Sequence, residues 1–375
     1  MRNFAAQTRT QMKEMQFVAL VLMTLLTMKL LVLPRRAASS TSLSRARWLM
    51  AGGTALLGVH FLLQYRLGLR EMGVTQAVML NLFLFIPASW LMQMAVIYLQ
   101  RQGRIWLWDK LVGIIAWGIV IVLLGVAAAI DGQPLLSDTP QLHYAEVAAS
   151  CCYLAMQGYY TWRQLSNLRA MRSALANYYD LDMNGLLRWM QLSIFILVIL
   201  AMMVPLLIFA PDYVLAFFGV TCFAGIFYLV DSFCLYVVST APAKVMEAEQ
   251  SEDESEHDDE GSSQTISDEA LLRVESAVAQ WTAAGGHLKN GLKLPNAAEE
   301  MHIPRYLLSF WLKQSGRHYS EWLTDLRIEE AKRVLLEHPE WSNEAVAQHC
   351  GFSDRCYFQK KFKEATGLTP AQFIA

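Results

Sequence analysis

The chain has 375 residues and a formal net charge of −2, with 54% hydrophobic and only 17% charged residues. That balance is too apolar for a chain dissolved throughout in water and points to a lipid-facing part. The six cysteines have no CxxC spacing, which excludes a cysteine metal site or a disulfide framework as the organising feature.

The long uninterrupted apolar runs all lie before residue 240, so the chain divides on composition alone. We expect a multi-pass membrane domain over 1–240, an acidic disordered linker over 241–264 and a compact domain over 265–375. Seven stretches are long enough for a ~30 Å hydrocarbon layer, which needs ~20 residues. They run near Gln16–Leu33, Trp48–Tyr65, Thr75–Leu99, Leu111–Ile130, Tyr144–Trp162, Trp189–Phe209 and Tyr213–Val238. The fifth is the least apolar: it holds Glu146, Gln157 and several tyrosines, so it must face protein or water rather than lipid.

Lys and Arg in the short loops set the expected orientation. With the N-terminus outside, the cytoplasmic loops carry eleven of them, from Arg35 to Arg188, and the opposite side five, from Arg2 to Arg70. Seven crossings with that start leave the C-terminus inside, on the cytoplasmic side of the membrane. A cleavable leader over Met1–Leu33 fails on charge, because cutting near Ala37 exports the Arg-rich loop that follows. Lys29 lies near the inner end of the first stretch and is expected to snorkel toward the headgroups.

Ionisable or strongly polar residues inside crossings are expensive and therefore candidates for sensing: His60, Asn81, Gln93, Glu146 and Asp231. Interhelical hydrogen bonding is the plainer role for each. The aromatic-rich last crossing suits either packing or a pocket for an apolar ligand. No HExxH or GxSxG motif is present, the last crossing has no Lys for a Schiff base, and His60 is the one histidine well inside a crossing. Neither catalysis nor a bound metal or cofactor is therefore expected.

Nine acids fall between Glu247 and Glu260 with no apolar periodicity, the pattern of a solvated, self-repelling tether. A sharper reading has this acidic run compete with phosphate for Arg355, Lys360, Lys361 and Lys363. Ser267 is placed to cap a helix that Gly285-Gly286 ends.

The last stretch reads as helix, tight turn, helix. Ser342 is a helix cap, Cys350-Gly351-Phe352 breaks the helix, Ser353 is placed to cap a second one, and Gly367 closes it. Phe358 and Phe362, four apart, face a core, while Arg355, Gln359 and Lys363 fall on another face beside Cys356 and Lys360. A basic helix on a small support suits a DNA major groove.

The run GFSDRCYFQKKFKEATGLTPAQF resembles the signature of AraC/XylS-type transcription regulators, whose DNA-binding domain sets two helix-turn-helix units on a linking helix. On that resemblance LKLPNAAEEMHIPRYLLSFWLKQSG, from Leu292 to Gly316, is the first unit, with Met301-His302-Ile303 as its turn and Pro304–Lys313 as its recognition helix. Ser320–Glu337 is the linking helix, with Trp322, Leu323, Leu326, Ala331, Val334 and Leu335 as its buried stripe and Pro339 beyond its end. The likeness spans roughly the last 110 residues. It implies groove-facing positions at Arg305, Tyr306, Ser309 and Phe310 in the first unit, and at Arg355, Cys356, Gln359, Lys360 and Lys363 in the second. Two departures stand out: Lys293 sits where Ser or Thr usually caps the first helix, and Ala297 replaces a larger apolar residue.

The expected fold class is all-α: a seven-helix transmembrane bundle followed by this domain. The expected function is a membrane-integrated one-component transcription regulator, with double-stranded DNA, the lipid bilayer, a second copy of the chain, and an unknown ligand or membrane protein as partners. The rival reading is a membrane transporter or receptor whose C-terminal domain is a protein-interaction module. From Thr265 onward, thirteen Lys and Arg face fourteen Asp and Glu, so nonspecific DNA affinity is expected to be modest and salt-sensitive.

Overall fold

The apolar runs fold as long helices, the one way an open chain satisfies its own backbone hydrogen bonds away from water. The computed structural model describes residues 2–33, 41–68, 74–132, 139–180, 184–206, 212–248, 250 and 268–374, and among these no strand occurs. Its first helices are α1 (Arg2–Val32), α2 (Thr41–Leu67), α3 (Val74–Gln100), α4 (Leu107–Asp131), α5 (Pro140–Tyr178), α6 (Asn184–Leu206) and α7 (Asp212–Val238). Two compact units result: Met1–Leu168 with Arg188–Pro242, and Arg169–Leu187 with Ala243–Ala375.

Among the described residues six helices are long and apolar enough to cross a membrane, within α1, α2, α3, α4, α6 and α7. The expected fifth crossing, near Tyr144–Trp162, is not among these six. Its residues are helical all the same, inside α5, whose 39 residues span about 58 Å at ~1.5 Å per residue. The reason for its low apolarity is visible in the core. Ala149, Tyr153, Met156 and Tyr160 of α5 pack with Ile86 and Ile97 of α3 and Val120 and Leu124 of α4. Polar side chains buried at that seam bond to one another. Gln93 Nε2 donates to Gln157 Oε1 at 2.7 Å, and Gln164 Nε2 donates to Gln93 Oε1 at 2.5 Å. Gln100 Nε2 donates to the Gln164 carbonyl at 3.2 Å.

Small residues bring the neighbouring helices together. A Cβ on Gly53 would lie 2.7 Å from Met92 Cγ and 3.0 Å from the Ala88 carbonyl oxygen, so α2 meets α3 at backbone distance. Thr27 Oγ1 donates to Thr54 Oγ1 at 2.9 Å between α1 and α2. At the start of α4, Asp109 is fully buried and receives Arg163 Nε at 2.9 Å and the Tyr159 hydroxyl at 2.8 Å.

The second unit holds α8 (Asp268–Ala283), α9 (Leu294–Glu300), α10 (Arg305–Gln314), α11 (Tyr319–Glu337), α12 (Asn343–His349), α13 (Arg355–Thr366) and α14 (Pro370–Ile374). Two cores form on opposite halves of α11. Tyr319, Trp322 and Leu323 join Trp281, Ala297, Leu308 and Leu312. Ile328, Ala331, Val334 and Leu335 join Val346, Phe352, Phe358 and Phe362. One helix therefore carries two small helical units, each too small to bury its own apolar face alone.

Residues 241–248 are helical, where the tether was expected to begin. The rest of the acidic run, Ser267 and the loop arginines Arg35 and Arg36 lie outside the described residues.

Candidate nucleic-acid interface

The second helix-turn-helix is built from local signals. Ser342 caps α12 by accepting from the Ala345 N–H at 3.1 Å, and α12 ends at Cys350. Gly351 has φ +76°, and a Cβ there would lie 2.4 Å from the Leu288 carbonyl oxygen. Only glycine fits this turn, on both conformation and space. The cap of α13 is Asp354, not Ser353: its carboxylate accepts from the Tyr357 N–H at 2.8 Å, while the Ser353 hydroxyl donates to Asp354 Oδ2 at 3.1 Å. An ionised acceptor at this position also meets the positive end of the helix dipole, which a serine hydroxyl does not. At the far end Gly367 takes φ +77° and closes the helix.

Phe358 and Phe362 are fully buried with ring centroids 5.7 Å apart, which fixes the rotation of α13 about its axis. The opposite face presents Arg355, Cys356, Lys360 and Lys363 as exposed residues and Gln359 as half-buried. Arg355 and Lys363 form no ion pair among the described residues. Lys361 turns back along the helix, with Nζ 2.9 Å from Glu364 Oε2 and 5.9 Å from the Tyr357 ring. Lys360 stays 3.9 Å from the same carboxylate. The open cations of this helix are thus Arg355 and Lys363, with Lys360 loosely held.

The first unit is less open. Pro304 precedes α10 without a side-chain cap, and His302 in the preceding turn takes φ +55°. Leu308 and Leu312 are buried, while Arg305, Tyr306, Ser309 and Phe310 are all half-buried. Lys293 precedes α9 with no side-chain capping bond, in keeping with the missing Ser or Thr.

A family model described as a helix-turn-helix domain matches residues 297–375. Residues 297–375 are an AraC-type helix-turn-helix domain. This domain is 36% identical over 85 residues to an uncharacterised HTH-type transcriptional regulator, YobQ, of Bacillus subtilis; the match covers 22% of this chain and 35% of that protein. It is 32% identical over 88 residues to the regulatory protein PocR of Salmonella typhimurium, covering 23% of this chain and 29% of PocR. Over 72 residues it is 35% identical to the arabinose operon regulatory protein of Escherichia coli, covering 19% of this chain and 24% of that protein. The chain thus spans about a third or less of the length of these curated relatives. No solved structure matches it.

The candidate sensing residues have separate partners. His60 is buried, its ring centroid 4.4 Å from that of Phe85. Asn81 Oδ1 accepts from Gln64 Nε2 at 3.5 Å, and Gln93 belongs to the glutamine seam. Glu146 is fully buried, with His143 Nδ1 3.7 Å from Oε2. Asp231 pairs with Lys29. Lys29 lies on α1 and Asp231 on α7, which pack together. Among the described residues no cluster of three or more His, Cys, Asp or Glu is arranged to hold a metal ion.

Sequence reasoning passed over one feature of the second unit. Arg327 is fully buried and donates to the His287 carbonyl at 3.0 Å, the Lys289 carbonyl at 2.6 Å and Asp180 Oδ2 at 3.1 Å. An Arg on the inner stripe of the linking helix was the one available signal, since its partner lies 147 positions away.

Proposed function

We propose that the chain is a membrane-integrated, one-component transcription regulator whose AraC-type domain binds double-stranded DNA in the cytoplasm. The observation that carries this reading is the exposed Arg355, Lys360 and Lys363 face of α13, backed by Phe358 and Phe362, in a chain that also has six membrane-length apolar helices. Arg355, Cys356 and Gln359 are the proposed base readers, and Lys360 and Lys363 phosphate contacts. Arg305, Tyr306, Ser309 and Phe310 are the corresponding positions in the first unit. Two recognition helices read successive major-groove segments about 34 Å apart. A second copy of the chain adds affinity that a domain with little net charge lacks.

The same reading makes α5 a seventh crossing, shielded from lipid by α3 and α4. Its glutamines Gln157 and Gln164 are bonded to Gln93 within the bundle, so they lower the apolarity of the helix without preventing its burial. Parity supports this. With six crossings and the N-terminus outside, the DNA-binding domain ends on the far side from the chromosome; with seven it shares the compartment. A signal entering through the bundle, by way of His60, Asn81, Gln93, Glu146 or Asp231, a ligand or a membrane partner, then alters how the domain meets a promoter.

The test is genome-wide mapping of DNA bound by the full-length chain in intact cells, beside an Arg355→Ala/Lys360→Ala variant. The reading expects discrete promoter peaks that the variant loses at equal membrane abundance. Peaks unchanged in the variant, or a C-terminal reporter active only in the periplasm, overturn it. A transporter or receptor with a protein-binding tail gives no promoter peaks in either chain.

A further inference from the structure

Lys293 immediately precedes the first helix of the first helix-turn-helix unit, yet its side chain is turned onto residues from outside that unit. Its ammonium pairs with the Glu247 carboxylate. It also lies 5.5 Å from the centre of the Tyr178 ring and 5.6 Å from that of Tyr179. The Tyr178 and Tyr179 hydroxyls each donate to Glu247 at 2.8 Å, so the carboxylate is bonded from three directions. With Lys293 as its strongest partner, Glu247 is held below the usual carboxylate range and stays ionised at neutral pH. The backbone beside the lysine is fixed as well, because the Leu292 N–H donates to buried Asp180 at 3.1 Å.

The origin of these groups gives the cluster its meaning. Tyr178 ends α5, which begins in the first unit, and Glu247 lies nine residues beyond the end of α7. The loop leading into the DNA-binding domain is therefore held by two segments that leave the membrane unit. In a helix-turn-helix the first helix crosses the nucleic-acid backbone, where lysines neutralise phosphates.

We propose that Glu247 stands in for a DNA phosphate on Lys293, so that the first helix-turn-helix unit engages a duplex only when the segments following α5 and α7 release this lysine. The proposal rests on the DNA-binding reading above. It makes docking on these segments and binding to DNA mutually exclusive at one cation, and lets a shift of α5 or α7 control affinity without a diffusible messenger.

The test uses the full-length chain in nanodiscs and a duplex selected from a random library by the wild-type chain. Glu247→Gln is nearly isosteric at a half-exposed position, so it leaves folding intact. It is expected to tighten binding by about fivefold or more, the range of ordinary coupling between sites, and to steepen the salt dependence by up to about one ion. In a Lys293→Gln background the same change is expected to do nothing. Tyr178→Phe/Tyr179→Phe shifts affinity in the same direction as Glu247→Gln, by less. Hydrogen exchange at residues 289–296, read without DNA, is expected to speed up in Glu247→Gln. Unchanged or weaker binding by Glu247→Gln overturns the proposal, as does an equal gain with and without Lys293, or unchanged exchange. Failure of the wild-type chain to bind any duplex overturns the DNA-binding reading itself, and this proposal with it.

Discussion

Asp180 and Arg327 form an ion pair away from water, with Arg327 Nη2 3.1 Å from Asp180 Oδ2 and side-chain exposures of 0% for the arginine and 3% for the aspartate. The carboxylate also takes the Leu292 N–H, and the guanidinium takes two carbonyls of the 287–289 turn. Removing one partner from such a pair leaves a desolvated charge, which costs about 3–5 kcal/mol. Asp180→Ala is therefore expected to open the first helical core around α9 and α10. Asp180→Asn keeps an acceptor for both donors and is expected to lose about half as much. Amide exchange of Leu292 and its neighbours in the full-length chain ranks the two; equal protection in both variants and the wild type contradicts the pairing.

On α13, Arg355 and Lys360 are expected to fail differently when removed. Arg355 is exposed and unpaired among the described residues near the start of the helix, where side chains reach base edges. Arg355→Ala is expected to weaken specific binding by about 1–3 kcal/mol and relax preference at one base pair. Lys360, one turn on and 3.9 Å from Glu364, is suited to a phosphate. Lys360→Ala is expected to lower affinity evenly across sequences and flatten the salt slope by about one. Competition binding against a substituted site series at several salt concentrations separates the two outcomes.

His287 gives the second unit a pH dependence. Its side chain is buried, Nδ1 has no hydrogen-bond partner among the described residues, and burial holds its pKa below the ordinary 6.5. The unfolded chain then takes up a proton as pH falls through 6.5 while the folded chain resists. Stability is thus full above that value and is lost progressively below it. Glu300 and Glu330, both held below the usual carboxylate value of 4.5, add losses only under about pH 4.5. Thermal denaturation is expected to show a decline as pH falls below 6.5 that His287→Gln removes.

Local signals explain what the sequence made legible. The Phe358/Phe362 spacing, the Ser342 cap and the Gly367 close are each decided within a few residues, and all three hold in the structure. Ser353 and Asp354 are both good caps by residue type, and it is the Asp354 carboxylate that closes the start of α13. Long-range pairs left no such trace. Lys29 meets Asp231 across 202 positions, Glu247 meets Lys293 across 46, and Arg327 meets Asp180 across 147. Each member alone reads as an ordinary surface or snorkelling charge. The fifth helix was hard for a related reason: its glutamines lower its apolarity, and their partners on α3 lie more than 60 positions away.

The glutamine seam also makes the α3–α5 packing testable. Gln157 accepts from Gln93 and donates to Ser89, and Gln93 in turn accepts from Gln164. All three glutamines are buried, so none can exchange its partner for solvent. With its acceptor removed Gln93 is stranded in the seam, so Gln157→Leu is expected to destabilise the bundle by about 0.6 kcal/mol, the average for interhelical bonds in membranes, and by no more than about 1.7 kcal/mol. Gln93→Leu/Gln157→Leu is expected to cost less than the sum of the two single changes, because the second substitution removes a group already stranded by the first. Unfolding of the chain in bicelles provides the measurement, and strictly additive effects there contradict the Gln93–Gln157 bond.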